Sequence, residues 1–543
     1  MRVVRGDVVI VGAGFAGSLT ALILKQIGLQ PILIEKSSHP RFSIGESSTP
    51  LANLFLEKIC KAYRLNRIAP LCKFGSWQKN YPQIACGLKR GSSFFKHEKN
   101  LPFQPDRRHS REMLVAASPN DQVGDTQWFR ADFDHFMAQE AIKSGVFYSD
   151  KTTIHEVKKC ANDWRLSCEK DGKSLGFEAE WLIDASGGAA VVSSEIFPEN
   201  LSVIPAQAGI QTTAPQSWIP ASAGMTEAAL SSKKEKPAPA SGSSRQRGYD
   251  MKTNSWTIFS HFKNVRSWRD VLSEKNAFLE DYPFHPDDAA LHHVFDEGWM
   301  WVLRFNNGVT SAGFVLNGEK YAPTYPENPN KEWAHLLARY PSIAEQFAQS
   351  EAIRPFTMTG RLERKLPQSF GDGWVALPAA AYFLDPFFSP GNAHTLLGVL
   401  RLADAFQNDW QTPKFLEALE KYDHQLQREI EFVDWLIHGS YLAFSNFDLL
   451  AAFSMYYYTG SIFSEHRYKS GAADLNDEFL FSHDRDFRAE VKNGYKRLLE
   501  LTSRSKPTKS DLRDFYESVV VDIAPWNLAG LCGVGKKNMY PYG

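Results

Sequence analysis

Near the start of the 543-residue chain stands Gly12-Ala13-Gly14-Phe15-Ala16-Gly17. Three glycines at this spacing permit a tight turn, close backbone approach to a pyrophosphate and close helix–strand packing. Glu35 follows about 20 residues on, where a carboxylate can accept ribose hydroxyls. This pairing is the chemistry of dinucleotide binding, and by itself it does not choose between NAD and FAD. Other reactive types lack partners in sequence. The cysteines Cys60, Cys72, Cys86, Cys160, Cys168 and Cys532 form no CxxC pair. His292, His293 and His394 have no carboxylate or cysteine at metal-ligand spacing, so they read as packing or hydrogen-bonding histidines and no metal site is expected.

The elements that must position the glycines are legible around them. The apolar run Val8–Val11 precedes the turn, a helical pattern covers Ser18–Ile27, and Pro31–Ile34 ends in Glu35. Strand, turn, helix and strand within about 30 residues make a βαβ unit. Leu51–Tyr63 and Phe133–Lys143 read as helices, and Trp181–Asp184 as a strand ending in a small-residue turn. Trp256–Phe262 and the alternating Trp299–Leu316 read as strands of a meander. From Thr395 to about Leu499 the pattern is helical, and the tail, Ile523–Gly543, reads as a loop on the body.

The stretch from about Leu201 to Arg247 differs in kind, dominated by Ala, Pro, Ser, Gly, Gln and Lys. It carries an imperfect repeat, Ile204-Pro-Ala-Gln-Ala-Gly and Ile219-Pro-Ala-Ser-Ala-Gly. Such a composition cannot bury enough apolar surface to offset its ordering entropy. It predicts a disordered insertion over 200–248, resembling a translated interspersed DNA repeat.

Further motifs resemble one family, the flavin-dependent halogenases. Ser43-Ile44-Gly45-Glu46-Ser47-Ser48-Thr49-Pro50 is similar to its GES segment, and Trp128–Asp134 to its Arg-x-x-Phe-Asp stretch. Asp184-Ala185-Ser186-Gly187 resembles the DASG turn shared with flavin hydroxylases. Gly298–Leu303 resembles the WxWxIP signature, and Leu384–Gly391 the DP…S-x-G loop. The resemblance covers residues 7 to about 405 and implies FAD as cofactor. It implies contacts to FAD from Gly12, Gly14, Ala16, Gly17, Glu35 and Lys36, then from Gly45, Glu46, Ser47 and Arg130. Asp184, Gly187, Asp385, Pro386, Gly391 and Asn392 would complete that set. In this family reduced FAD and oxygen give a C4a-hydroperoxide, halide attacks it, and hypohalous acid reaches an aromatic substrate through a lysine. By resemblance that lysine is Lys89, with Lys73 and Lys79 as alternatives; Trp299 and Trp301, two residues apart on one face of a strand, read either as a core aromatic pair or as a wall dividing flavin from substrate. The implied partners are halide, a separate flavin reductase and a small aromatic substrate, free or carrier-tethered.

Three departures bear on the chemistry. Arg304 replaces the proline after the tryptophans, Pro390 removes an N–H from the loop that would hold chloride, and Leu377-Pro378-Ala379-Ala380 replaces the usual Gly-Asp before the flavin-binding turn. Phe388 stands where tryptophan halogenases place a glutamate, which argues against free tryptophan as substrate. Halogenation, hydroxylation on the same scaffold and a degenerate FAD binder therefore all stay open.

The predicted architecture is α/β: a Rossmann-like FAD-binding domain interwoven with a β-sheet substrate domain and a helical C-terminal region. Residues 1–199 hold the FAD-binding unit and the first substrate-domain segments, and 249–360 the substrate sheet. Residues 361–405 return to the FAD domain, and 406–543 are helical. A net charge of -1 gives no electrostatic reason to propose nucleic acid. The apolar run Leu436–Phe463 includes Asn446, Asp448 and several serines, which reads as a buried or lid-forming helix rather than a membrane span. The absence of a signal peptide and of disulfide-like cysteine spacing leads us to expect a cytoplasmic protein.

Overall fold

The computed structural model describes residues 2–192, 251–504, 506–533 and 535–543. The predicted disordered insertion over 200–248 lies outside the described residues. The chain opens with β1 (Arg2–Val11), α1 (Phe15–Gln26) and β2 (Pro31–Ile34), the predicted βαβ unit. Val8, Val9, Ile10 and all of β2 are buried, as strands covered on both faces must be.

Next come α2 (Pro50–Ala62), β3 (Cys86–Lys89), β4 (Gly91–Lys96), β5 (Glu112–Ala116), β6 (Asp125–Trp128) and α3 (Arg130–Lys143). The helix α2 begins where expected because Thr49 caps it, its hydroxyl accepting from Ala52 N at 3.3 Å, with Pro50 in the first turn. β7 (Phe147–Ser149), β8 (Thr152–Lys159), β9 (Trp164–Lys170) and β10 (Lys173–Asp184) follow. β10 is longer than the expected Trp181–Asp184, because its first half pairs antiparallel with β9 while the whole strand runs parallel to β1.

The substrate sheet contains β11 (Ser255–Lys263), β12 (Ala290–Phe295), β13 (Gly298–Arg304) and β14 (Thr310–Asn317). The chain then returns to the first sheet as β15 (Trp374–Ala376). The first sheet therefore has the parallel order β15-β10-β1-β2-β7. The second runs β11-β14-β13-β12-β4-β5, so segments before and after the insertion interleave in one sheet. The β13–β14 pairing, Trp299 opposite Val315, is the meander read from alternation.

Four long helices follow: α4 (Pro390–Asn408), α5 (Pro413–Ala443), α6 (Phe447–Ser470) and α7 (Arg485–Ser503). After them come α8 (Lys509–Ile523) and a final short strand, β16 (Met539–Tyr540). The apolar run Leu436–Phe463 is not one helix. It breaks at Asn446, whose side chain caps α6 by accepting from Leu449 N at 3.2 Å. Among the described residues no helix is long and apolar enough to cross a membrane. The tail is more than a loop: β16 pairs in parallel with β5 and extends the substrate sheet.

Candidate active site

The glycine turn is built as its spacing requires. Gly12 has φ +105, and a side chain there would lie 2.5 Å from the Ala185 carbonyl; one at Gly17 would lie 2.0 Å from the Gly12 carbonyl. Gly14 is different, with nothing nearer than 3.6 Å to a Cβ, and what it meets are Asp134, Arg130 and Arg41. It caps α1 with no side-chain hydrogen bond, and no acid stands in the first turn. The N–H groups and positive end of α1 are thus open to an anion, flanked by two guanidiniums. Arg41, which sequence reasoning missed, is one of them, and it also donates to Glu35 at 3.0 Å. Glu35, buried at the end of β2, accepts from Ala13 N at 3.0 Å, while Lys36 beside it is exposed. Ala16 is buried in the first turn of α1.

Across the cleft, the Ala185 N–H bonds the Val11 carbonyl and sets the Asp184–Gly187 turn beside the glycine turn. Asp184 is buried and braces that turn, accepting from Ser186 Oγ at 2.6 Å and Val192 N at 3.0 Å. Arg364, also missed, donates to the carbonyls of Ala379, Ala380 and Gly187, tying the Leu377–Ala380 turn to the Asp184–Gly187 turn. Gly187, Gly188 and Gly391 all have open space where a Cβ would stand.

Arg130 and Asn392 pin the Ile44–Ser47 loop between these turns. Arg130 pairs with Asp134 at 2.7 and 2.9 Å and donates to the carbonyls of Ile44 and Gly45. Asn392 donates to the carbonyls of Gly45 and Ser47, both at 3.1 Å. Glu46 is buried against His261 at 2.9 Å. The uncapped end of α1, the glycine gaps and Glu35 fit FAD: Gly14, Arg41 and Arg130 suit its pyrophosphate and Glu35 its ribose.

The loop that opens α4 is stiff. Asp385 is fully buried, accepting from Phe387 N at 2.9 Å, Tyr441 OH at 2.6 Å and Ser255 Oγ at 3.0 Å. Burial raises its pKa to about 6 against those hydrogen bonds. The side chain thus faces the core, and its part in a cofactor site is to hold the backbone of Pro386 and Phe387. Pro390 takes the first position of α4, where a missing N–H costs the helix nothing. Ser389 before it adopts φ 57.

Lys89 ends β3 opposite Asp125 of β6. Its Nζ donates to Ser47 Oγ at 2.8 Å and to the Ser48 carbonyl at 2.6 Å, so the Glu46–Ser48 loop holds the ammonium directly. Burial lowers its pKa to about 8 against the pull of the Asp125 carboxylate. Of the three lysines considered, Lys89 lines a partly open cavity of about 200 Å³; Lys73 and Lys79 do not. Phe388 forms one wall, stacked on Tyr457 with ring centres 4.3 Å apart and planes at 11°, with Tyr458 edge-on. Val115, Ala116 and Ala117 of β5 and its continuation face them, with Tyr540 of the tail.

Trp299 and Trp301 do not line this cavity. Both project from one face of β13 into the core between the sheets, Trp299 against Phe387 at 5.2 Å and Trp301 bonded to Ser311 Oγ at 3.1 Å. Arg304, in place of the signature proline, closes β13 by an ion pair to Asp287 at 2.9 Å. The three histidines are all hydrogen-bonded: His292 to the carbonyls of Ser93 and Phe387, His293 to His97 and Gln346, and His394 to Tyr382 and Glu429. Among the described residues no group of three or more His, Cys, Asp or Glu side chains could hold a metal.

Fold and site together define an FAD-dependent oxidoreductase. The chain matches the tryptophan halogenase family over residues 7–60 and 262–449. It is 27% identical over 478 residues to the monodechloroaminopyrrolnitrin halogenase PrnC of Pseudomonas fluorescens, covering 85% of this chain and 72% of that one. To the tetracycline 7-halogenase of Kitasatospora aureofaciens it is 25% identical over 458 residues, covering 82% and 71%. The crystal structure of the halogenase PltM in complex with phloroglucinol and FAD has the same fold, with a TM-score of 0.80 at 24% identity over 98% of this chain and 99% of that one. Over most of its length the chain is thus similar to flavin-dependent halogenases.

Proposed function

We propose that the protein halogenates an electron-rich aromatic ring, phenolic or pyrrolic, with Lys89 as the residue that delivers the halogen. One observation carries this reading: a buried ammonium, anchored by the loop that borders the flavin cleft, stands in the wall of a small aromatic cavity. When bound and reduced, FAD would supply the oxidising power that turns oxygen and halide into hypohalous acid. The remaining work falls to this chain. Two of the three ammonium donors of Lys89 are engaged by Ser47 and Ser48, which leaves a third for the oxygen of hypohalous acid. That hydrogen bond makes water the leaving group as the ring attacks the halogen. Phe388, Tyr457 and Tyr458 hold the ring flat and keep bulk water from the oxidant.

The cavity volume favours a free small substrate over one threaded in on a carrier arm. A separate reductase would supply reduced flavin. The six cysteines are all free thiols, in keeping with a reducing cytoplasm. The test is to incubate the protein with FAD, a flavin reductase, NADH, oxygen and bromide or chloride against a panel of phenols and pyrroles, followed by mass spectrometry. Halide-dependent incorporation supports the reading; a hydroxylated product indifferent to halide would overturn it.

A further inference from the structure

The Lys89 cavity has a second polar end. Glu465 of α6 contributes the single carboxylate side chain among its described lining residues, with His466 and Lys469 beside it. Lys469 Nζ lies 2.5 Å from Glu465 Oε1, so the carboxylate is held as an ion pair one turn along the helix. The Lys469 side chain is half exposed while that of Glu465 is largely covered, which puts the lysine at the rim and the carboxylate inside. Glu465 and Lys89 both line this one cavity. Between them runs the apolar slot of Phe388, Tyr457 and Tyr458. A dry cavity of about 150 Å³ accepts benzene. A slot of about 200 Å³ therefore has room for one substituted ring.

Resting on the halogenase reading, we propose that the substrate is a free monocyclic phenol and that Glu465 is the base that accepts its hydroxyl proton. The position where tryptophan halogenases carry a glutamate is filled by Phe388, and the cavity carboxylate comes from a different element, α6. The step balances as follows. The phenolic O–H bond breaks and its proton passes to Glu465. The phenolate ring forms a carbon–halogen bond as the halogen–oxygen bond of hypohalous acid breaks. Lys89 gives a proton to the departing oxygen, which leaves as water. The ring then loses its C–H proton through water to Lys89, and Glu465 returns its proton to the phenolate oxygen. The sum is phenol plus hypohalous acid giving halophenol plus water.

The experiment compares resorcinol with 1,3-dimethoxybenzene, which has the same ring without a proton to give, on the FAD-loaded enzyme and its Glu465→Gln variant. By calorimetric titration the wild type should bind resorcinol at least tenfold more tightly than the ether, and Glu465→Gln should bind the two alike. In turnover with bromide, Glu465→Gln should lower kcat/KM for resorcinol by about 10²-fold, the low end for a lost general base. Its rate with the ether, its FAD content and its peroxide release should change less than twofold. Lys469→Met and His466→Ala should keep the preference for the phenol. Equal losses on both rings, no loss on resorcinol, or transfer of the effect to His466→Ala would overturn the assignment. If wild type halogenates neither ring, the proposed function fails, while the binding contrast still decides the role of Glu465.

Discussion

A lysine can hold an oxidised halogen only while its environment makes it a donor of the right strength, and at Lys89 that environment is readable. With a pKa brought down to about 8, the side chain is mostly ammonium below that pH and mostly amine above it. Since the ammonium is the hydrogen-bond donor in the proposed reaction, the halogenation rate should be flat toward neutral pH and fall as pH rises through about 8. The control is peroxide release, which does not need Lys89 and should not share that inflection; rate–pH profiles of both would check it. Lys89→Ala should lower halogenated product by about 10²- to 10³-fold, the range for one lost transition-state donor, while peroxide continues to form. Persistent product in that variant would remove the residue from its role. The resemblance put Lys89 ahead of Lys73 and Lys79, but the physical reason for that order could not be read from the sequence. What separates the three is burial, anchoring to Ser47 and Ser48, and a place in a cavity wall, all of which arise from strand pairing across distant segments.

At the scale of elements, the glycine turn separates folding from binding. A methyl at Gly17 would meet a backbone carbonyl that cannot move aside, so Gly17→Ala should destabilise the protein by about 3 kcal/mol, the upper end for an overpacked core. A Cβ at Gly14 meets only ordinary contacts from Asp134, Arg130 and Arg41, so Gly14→Ala should leave the melting temperature of the FAD-free protein nearly unchanged yet weaken its hold on FAD. Melting curves beside flavin absorbance distinguish the two outcomes. The helical region has its own keystone. Glu429 of α5 is buried and binds Arg401 of α4 at 2.7 Å, His394 at 2.6 Å and the Phe479 N–H at 2.7 Å. Burial pushes its pKa up, but Arg401 and His394 outweigh it and hold it down to about 2. Because that value lies below the unfolded one, the stabilisation is complete above about pH 4.5 and is lost as pH falls through about 2. Glu429→Gln should cost about 3–5 kcal/mol at neutral pH by leaving the Arg401 charge buried and uncompensated, measurable by urea denaturation. The βαβ unit and the β13–β14 meander were legible because their signals are local: glycine spacing, and alternation with a period of two. The Arg364 tie, the Arg41 flank and the Glu429 network were not, since each joins residues whose proximity only the finished fold creates.

The whole molecule closes on itself at the cavity. The chain enters the substrate sheet at β4 and β5, passes through the first sheet and the long helices, and returns at β16, whose Met539 and Tyr540 pair with Leu114 and Val115. Tyr540 is buried and, with Leu531, lines the cavity that Lys89 and Phe388 line from the other side. The cavity is therefore assembled from distant parts of the chain: the interwoven sheet, the start of α2, the loop before α4, the helix α6 and the tail. Composition alone marked this tail as a surface loop, because two residues of strand give no periodic signal. Its pairing with β5 carries a functional consequence. A cavity wall that excludes water keeps hypohalous acid from leaking before the ring reacts. Removing residues 537–543 should open one side of the slot while sparing Lys89, the glycine turn and α1. FAD content and peroxide release should then stay close to wild type. The coupling between them and product should fall several-fold, with free hypohalous acid escaping to halogenate an added trap such as monochlorodimedone. A truncated enzyme that stays as tightly coupled as the full chain would show that the tail contributes to the sheet and not to the compartment.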